Sequence, residues 1–192
     1  MHTPEKMLNS WLVVEARKGK PEAFARLVRC HSDLVYRVAL RVLGDEEEAR
    51  DASQEAWIRA WRGLDRFKGE SAFTSWLYRI TVNACLNHRR DKRPVEHVEL
   101  CEETLHLPDL SGDPQAEISN REMVAQVELC LQEIRAEHRA ALVLRLIEGL
   151  GYPETADILE VPQAKVRAWV SRGRAEMVLK LTRERVVQSA EL

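Results

Sequence analysis

Two stretches interleave aromatic rings with cations. One is Trp57-Ile58-Arg59-Ala60-Trp61-Arg62. The other runs Phe67-Lys68-Gly69-Glu70-Ser71-Ala72-Phe73-Thr74-Ser75-Trp76-Leu77-Tyr78-Arg79. Aromatic faces beside cations hold single-stranded nucleic acid by stacking, without reading a duplex groove. The second stretch continues through Asn83, whose amide can hydrogen-bond a base edge. It then reaches His88, Arg89, Arg90, Lys92 and Arg93, a basic end suited to backbone phosphates. The same spacing also suits plain core packing for Trp57, Trp61, Phe73 and Trp76. Phe67, beside Gly69 on a loop, is the ring least easily explained by packing.

A second chemistry lies near the other end. Residues 149–162 read as a short helix and a turn, with Gln163 opening a longer helix. Ala156 is small enough for a close crossing, and Ile158, Leu159, Val161, Val166 and Val170 can share a core. This is the pattern of a helix-turn-helix, whose second helix lies in the major groove. Lys165, Arg167 and Arg172 are the donors nearest its start, and Arg174, Lys180, Arg183 and Arg185 extend the basic face. Such cations grip guanine or simply hold phosphate. A surface helical hairpin with solvated arginines fits the same residues.

Other chemistries find no support. Cys30-His31, and His97 with Cys101 and His106, lack the spacing of a zinc ligand set. There is no HExxH, no GxSxG and no phosphate-binding glycine loop. Acids fall on helix faces and at helix starts. We therefore expect no metal, no cofactor and no enzyme activity.

The elements that must position these residues are nearly all helical. The chain has 192 residues, 31% charged and 45% hydrophobic, with 8 Gly and 7 Pro, too few for a turn-rich β protein. Pro21 suits a helix start and Gly44 a stop, with Phe24, Leu27, Val28, Leu34, Val35, Val38 and Val42 as a stripe between them. Acidic residues 45–48 open the next helix, where the dipole favours them. It carries Ala49, Ala52, Ala56 and Ala60 on one face and ends at Gly63. Ser71 caps a third long helix that runs to about Arg93. A shorter helix over 8–18 ends at Gly19.

Charge divides the chain. Residues 1–94 carry +5, residues 95–120 carry −7 with no Lys or Arg, and residues 163–185 carry +5 again. The expected fold is all-α: two small helical domains, 1–94 and 117–192, joined by a flexible acidic linker over 95–116. No apolar run is long enough to span a membrane. The start lacks the pattern of a secretion signal, and the four scattered cysteines suit a reduced, cytoplasmic protein.

The run Asp51-Ala52-Ser53-Gln54-Glu55-Ala56-Trp57, followed by Phe67 to Ile80, resembles conserved region 2 of sigma-70-family sigma factors. Residues 148–154 and 166–174 resemble region 4. The short chain with no domain between them resembles the extracytoplasmic-function (ECF) subgroup, over residues 8–94 and 117–182.

The resemblance implies that the chain binds core RNA polymerase and promoter DNA and promotes melting and transcription initiation. By it, Phe67 and Asn83 line a pocket for a flipped base of the −10 element. Trp76, Tyr78 and Arg79 sit on the strand-opening face, with Arg89 and Arg90 beyond. Asp51, Gln54 and Glu55 face the polymerase clamp helices. Lys165, Arg167, Ala168, Ser171 and Arg172 read the −35 duplex. The linker mimics nucleic-acid charge in the RNA exit path, and an anti-sigma factor is the further partner. A sigma mimic and a stand-alone helix-turn-helix regulator are the alternative readings. Departures from the family pattern are Glu160 for Gly in the turn, Thr155 for Ile, and Gln163-Ala164-Lys165 at the start of the reading helix. Trp169 and Gly173 are also unusual, and Gly173 carries an expected cost of about 1 kcal/mol against Ala in a helix interior.

Overall fold

The computed structural model describes residues 4–69, 71–92 and 129–190, and among these it is helical with no strand. The first group comprises α1 (Pro4–Arg17), α2 (Pro21–Leu43), α3 (Glu46–Gly63), a 3₁₀ turn (Leu64–Arg66) and α4 (Phe73–Lys92). The second comprises α5 (Ala136–Leu142), a π-helical turn (Val143–Ile147), α6 (Tyr152–Leu159) and α7 (Gln163–Ala190). The acidic stretch 95–116 lies outside the described residues.

Local chemistry sets the helix ends as expected. Pro21 occupies the first turn of α2, and Gly44 takes φ +79° at its C-cap, donating its N–H to Leu40 O at 2.7 Å. The Asp45 side chain caps α3 by accepting from Glu48 N at 2.8 Å. Ala49, Ala52, Ala56 and Ala60 are all buried, so α3 lies close against its neighbours. Two ends differ from expectation. α1 begins before residue 8, and α4 begins at Phe73 rather than after a Ser71 cap.

The two groups share a hydrophobic core. Val38, Val42, Ala49, Tyr78, Val82 and Cys85 of the first pack with Leu131, Ile134, Leu142, Leu144, Ile158 and Val166 of the second. A second core, of Leu12, Leu27, Ala60, Phe73 and Leu77, belongs to the first group alone. The polar join between the groups is Arg139, which has no exposed surface. Its Nη1 donates to Val42 O (3.0 Å) and Leu43 O (3.1 Å), and its Nη2 donates to Gln132 O and to Ile134 O (3.2 Å). Arg89 Nη2 adds a bond to Leu43 O at 2.9 Å. Two cations thus meet the carbonyl end of α2, where the helix dipole is negative. Gly44 is needed here twice over, since a Cβ would come within 2.4 Å of Gln132 Cγ.

Two departures noted in the sequence acquire physical content. Glu160 holds φ +56°, the left-handed conformation that glycine adopts without strain. Gly173 lies at the α5–α7 crossing, where a Cβ would come within 2.7 Å of Leu142 Cδ1. Its helix-propensity cost is therefore a condition of that close approach. Cys85, expected in the core, is fully buried, and burial pushes its thiol up to about 12, whereas Cys30 is exposed.

Urea denaturation checks these assignments. Glu160→Gly raises stability by about 0.5–1 kcal/mol, the relief of left-handed strain less the entropy glycine adds to the unfolded chain. Gly173→Ala lowers it by about 1–3 kcal/mol through overpacking, against the direction of helix propensity.

Candidate nucleic-acid interface

The register of α4 sorts the candidate strand-binding residues. Trp76, Arg79 and Asn83 recur at helical spacing on one side, and Arg90 stands in register with them, its side chain outside the described residues. Tyr78 and Arg89 fall on the opposite side, with Val82 and Cys85. Phe67 joins the first side: its ring centre lies 5.0 Å from Trp76 and 5.9 Å from Phe73. All three rings are buried, so packing accounts for them in this conformation, Phe67 included. Arg79 and Asn83 are half-buried beside them. Trp61 departs from the core reading, as it is 46% exposed, its ring set edge-on to Phe24 at 4.8 Å.

Tyr78 is instead committed to the second group. Its hydroxyl donates to Glu148 Oε2 at 2.7 Å, while Arg41 Nη1 donates to Glu148 Oε1 at 2.9 Å. Burial, then the Glu148 carboxylate, raises the Tyr78 hydroxyl well above the usual phenol range, so it remains a donor. Beside it, Ser75 Oγ donates to Glu154 Oε1 at 2.7 Å. One side of α4 is thus covered by α6 and by Glu148 just beyond the π turn, and the Phe67–Trp76–Asn83 side is not part of that contact.

On α3, Asp51 and Gln54 are exposed and Glu55 is half-buried, paired with Arg59 at 2.7 Å. Ile58 and Trp61 continue this outer face as exposed apolar residues, a pairing of charge and grease suited to protein docking. On α7, Val166, Val170 and Gly173 face the core. Lys165, Arg167, Ser171 and Arg172 are exposed and Ala168 is half-buried, all on the remaining surface.

Sequence reasoning missed Arg41, Arg139, Glu148 and Ile58. A cation inside the apolar run 136–144 was the signal for Arg139; the others show no distinctive pattern. Among the described residues no group of His, Cys, Asp and Glu is placed to hold a metal, and no helix is long and apolar enough to cross a membrane.

Comparisons with known proteins match both halves of the chain. Residues 27–95 match the model of sigma-70 region 2, and residues 125–177 that of sigma-70 region 4. The RNA polymerase sigma-H factor of Pseudomonas aeruginosa is 35% identical over 171 residues, covering 85% of this chain and 88% of that protein. The ECF RNA polymerase sigma-E factor of Escherichia coli K12 is 34% identical over 179 residues, covering 88% and 92%. In fold, the chain is similar to CnrH, solved with the cytosolic domain of CnrY (TM-score 0.65, 24% identity, 91% and 97% covered). It is also similar to the sigma factor RpoE of Bartonella quintana, solved with the anti-sigma factor NepR (TM-score 0.59, 20% identity, 83% and 96% covered).

The double acceptor role of Glu148 predicts a weaker join on its neutralisation. Glu148→Gln lowers urea stability by about 1–3 kcal/mol, the range for a charged hydrogen bond. Amide exchange then speeds up in α6 more than in α1. Unchanged exchange in α6 contradicts the role.

Proposed function

The chain belongs to the ECF branch of the sigma-70 family, and on that basis we propose that it binds core RNA polymerase, recognises −35 and −10 promoter elements, and promotes melting and transcription initiation. The observation that carries this reading is the presence, on one chain, of the aromatic–basic helix α4, inside the region 2 match, and the basic helix α7, whose first half lies in the region 4 match. Catalysis belongs to the polymerase; this chain supplies promoter choice. An anti-sigma factor is the antagonist proposed with it, and the cytoplasm is the compartment.

The roles divide by surface. Asp51, Gln54 and Glu55, with Ile58, dock on the polymerase. Phe67, Trp76, Arg79 and Asn83 take the unpaired −10 strand, with Arg90 toward its phosphates, while Arg89, on the other side of α4, is held by Leu43 O. Lys165, Arg167, Ala168, Ser171 and Arg172 read the −35 duplex. The proposed domains are 1–94 and 117–192, with 95–116 between them.

This reading requires the two groups to part. The two elements stand about 25 base pairs apart by their names, or about 85 Å of duplex. A compact chain of this length has a radius of gyration of about 16 Å. The closed arrangement held by Arg139 and Glu148 therefore cannot touch both at once. Binding to polymerase must offset the cost of separating them.

Run-off transcription with purified core polymerase on a pooled promoter library tests the proposal; no promoter-specific transcript above core alone refutes it. Asn83→Ala leaves polymerase binding intact and lowers promoter melting about tenfold, the scale of one lost base contact, by permanganate footprinting. Arg172→Ala weakens retention of the holoenzyme on −35 duplex by about 1–3 kcal/mol.

A further inference from the structure

The candidate −35 cations are not simply solvated. The Arg167 guanidinium lies 4.4 Å from the centre of the Tyr152 ring. The Arg145 guanidinium lies 4.3 Å from the same centre. Both distances fall within cation–π range. Lys165, two residues earlier on α7, repeats the device, with its Nζ 5.0 Å from the ring centre of Trp169 one turn on.

Tyr152 is a fixed platform. It opens α6 between the N-cap Gly151 and Pro153, whose ring restricts the backbone. It is half-buried and packs on the shared core. Arg145 is tied down as well, since its Nη1 donates to Leu150 O from within the π turn. Arg167 differs: it is exposed near the start of α7, on a long side chain with many rotamers. The ring removes much of that freedom before any ligand arrives. A side chain ordered in advance loses less entropy on binding. The two guanidiniums on one ring also leave local positive charge in excess, and an anion relieves it.

Resting on the promoter-recognition reading above, we propose that Tyr152 is a positioning residue for −35 recognition: it holds Arg167 ready for a base edge, while Arg145, on the same ring, takes a backbone phosphate of the same duplex. Tyr152 opens α6 and Arg145 stands in the π turn before it, so the recognition surface extends beyond α7. Trp169 does for Lys165, within α7, what Tyr152 does for Arg167.

The test uses reconstituted holoenzyme and duplexes substituted one at a time across the −35 element, titrated at several salt concentrations. Tyr152→Met keeps a flexible apolar side chain at the core edge but removes the ring. It reduces discrimination about threefold to fivefold at the position Arg167 reads, the scale of an exposed cation–π contact, and leaves the salt slope unchanged. Tyr152→Phe keeps the ring and behaves as wild type. Arg145→Gln weakens all duplexes alike and lowers the salt slope by about one. In the background of Arg167→Ala, Tyr152→Met has no further effect.

Wild-type discrimination retained by Tyr152→Met, or lost equally by Tyr152→Phe, overturns the positioning role. An unchanged salt slope in Arg145→Gln overturns the phosphate role. If the wild-type holoenzyme shows no preference for any −35 duplex, the parent reading fails, and the proposal with it. An arm that needs no substitution is ¹⁵N relaxation at the arginine Nε of the free chain. Arg167 is expected to be as ordered as Arg145, and mobility equal to that of Arg174 overturns the proposal.

Discussion

A buried guanidinium holds this molecule together. Arg139 carries a full charge into a site with no exposed surface, where its two Nη atoms donate to backbone carbonyls from both helical groups. Burying a cation without partners is costly, so the site exists only while α2 ends where it does and the 132–134 backbone lies against it. Gly44 makes that end possible, because a side chain there would collide with Gln132. The apolar core shared by α2, α3, α4, α5, α6 and α7 closes around this one polar joint.

The joint gives the closed chain a logic. Tyr78, Ser75 and Arg41, all of the first group, donate to Glu148 and Glu154 of the second. The contact covers one side of α4 and leaves the Trp76–Asn83 side out of it. The proposed reading surface of α7 also faces outward. Closure therefore does not bury the proposed determinants wholesale; it fixes their separation at a distance too short for a promoter. On the proposed reading the barrier to activity lies in geometry, and whatever separates the groups must supply partners or solvent for Arg139 and Glu148.

Much of this was legible in the sequence, for local reasons. Pro21, Gly44 and Asp45 act on their own turns, and the alanines of α3 repeat at helical spacing, so elements and buried faces could be read from short windows. The helix-turn-helix core was visible in Ile158, Leu159, Val166 and Val170 for the same reason. What escaped depends on residues far apart in the chain. Arg139 finds its carbonyls 97 and 96 positions away, and Tyr78 finds Glu148 at 70. Gly173 looked like a defect because helix propensity is local, whereas Leu142, which explains it, is on another helix. Phe67 looked like a free ring because its packing partners, Phe73 and Trp76, lie across a turn.

The central claim is that the free chain is closed about Arg139 and opens to work. Pulsed electron–electron spin resonance measures this directly, with one label at Arg50 on α3 and one at Arg174 on α7. The account predicts a single short, narrow distance distribution for the free chain. On core polymerase with promoter DNA, that distance lengthens by tens of ångströms, on the order of the spacing between the two elements. A broad, long distribution in the free chain, or the same short distance in both states, contradicts it.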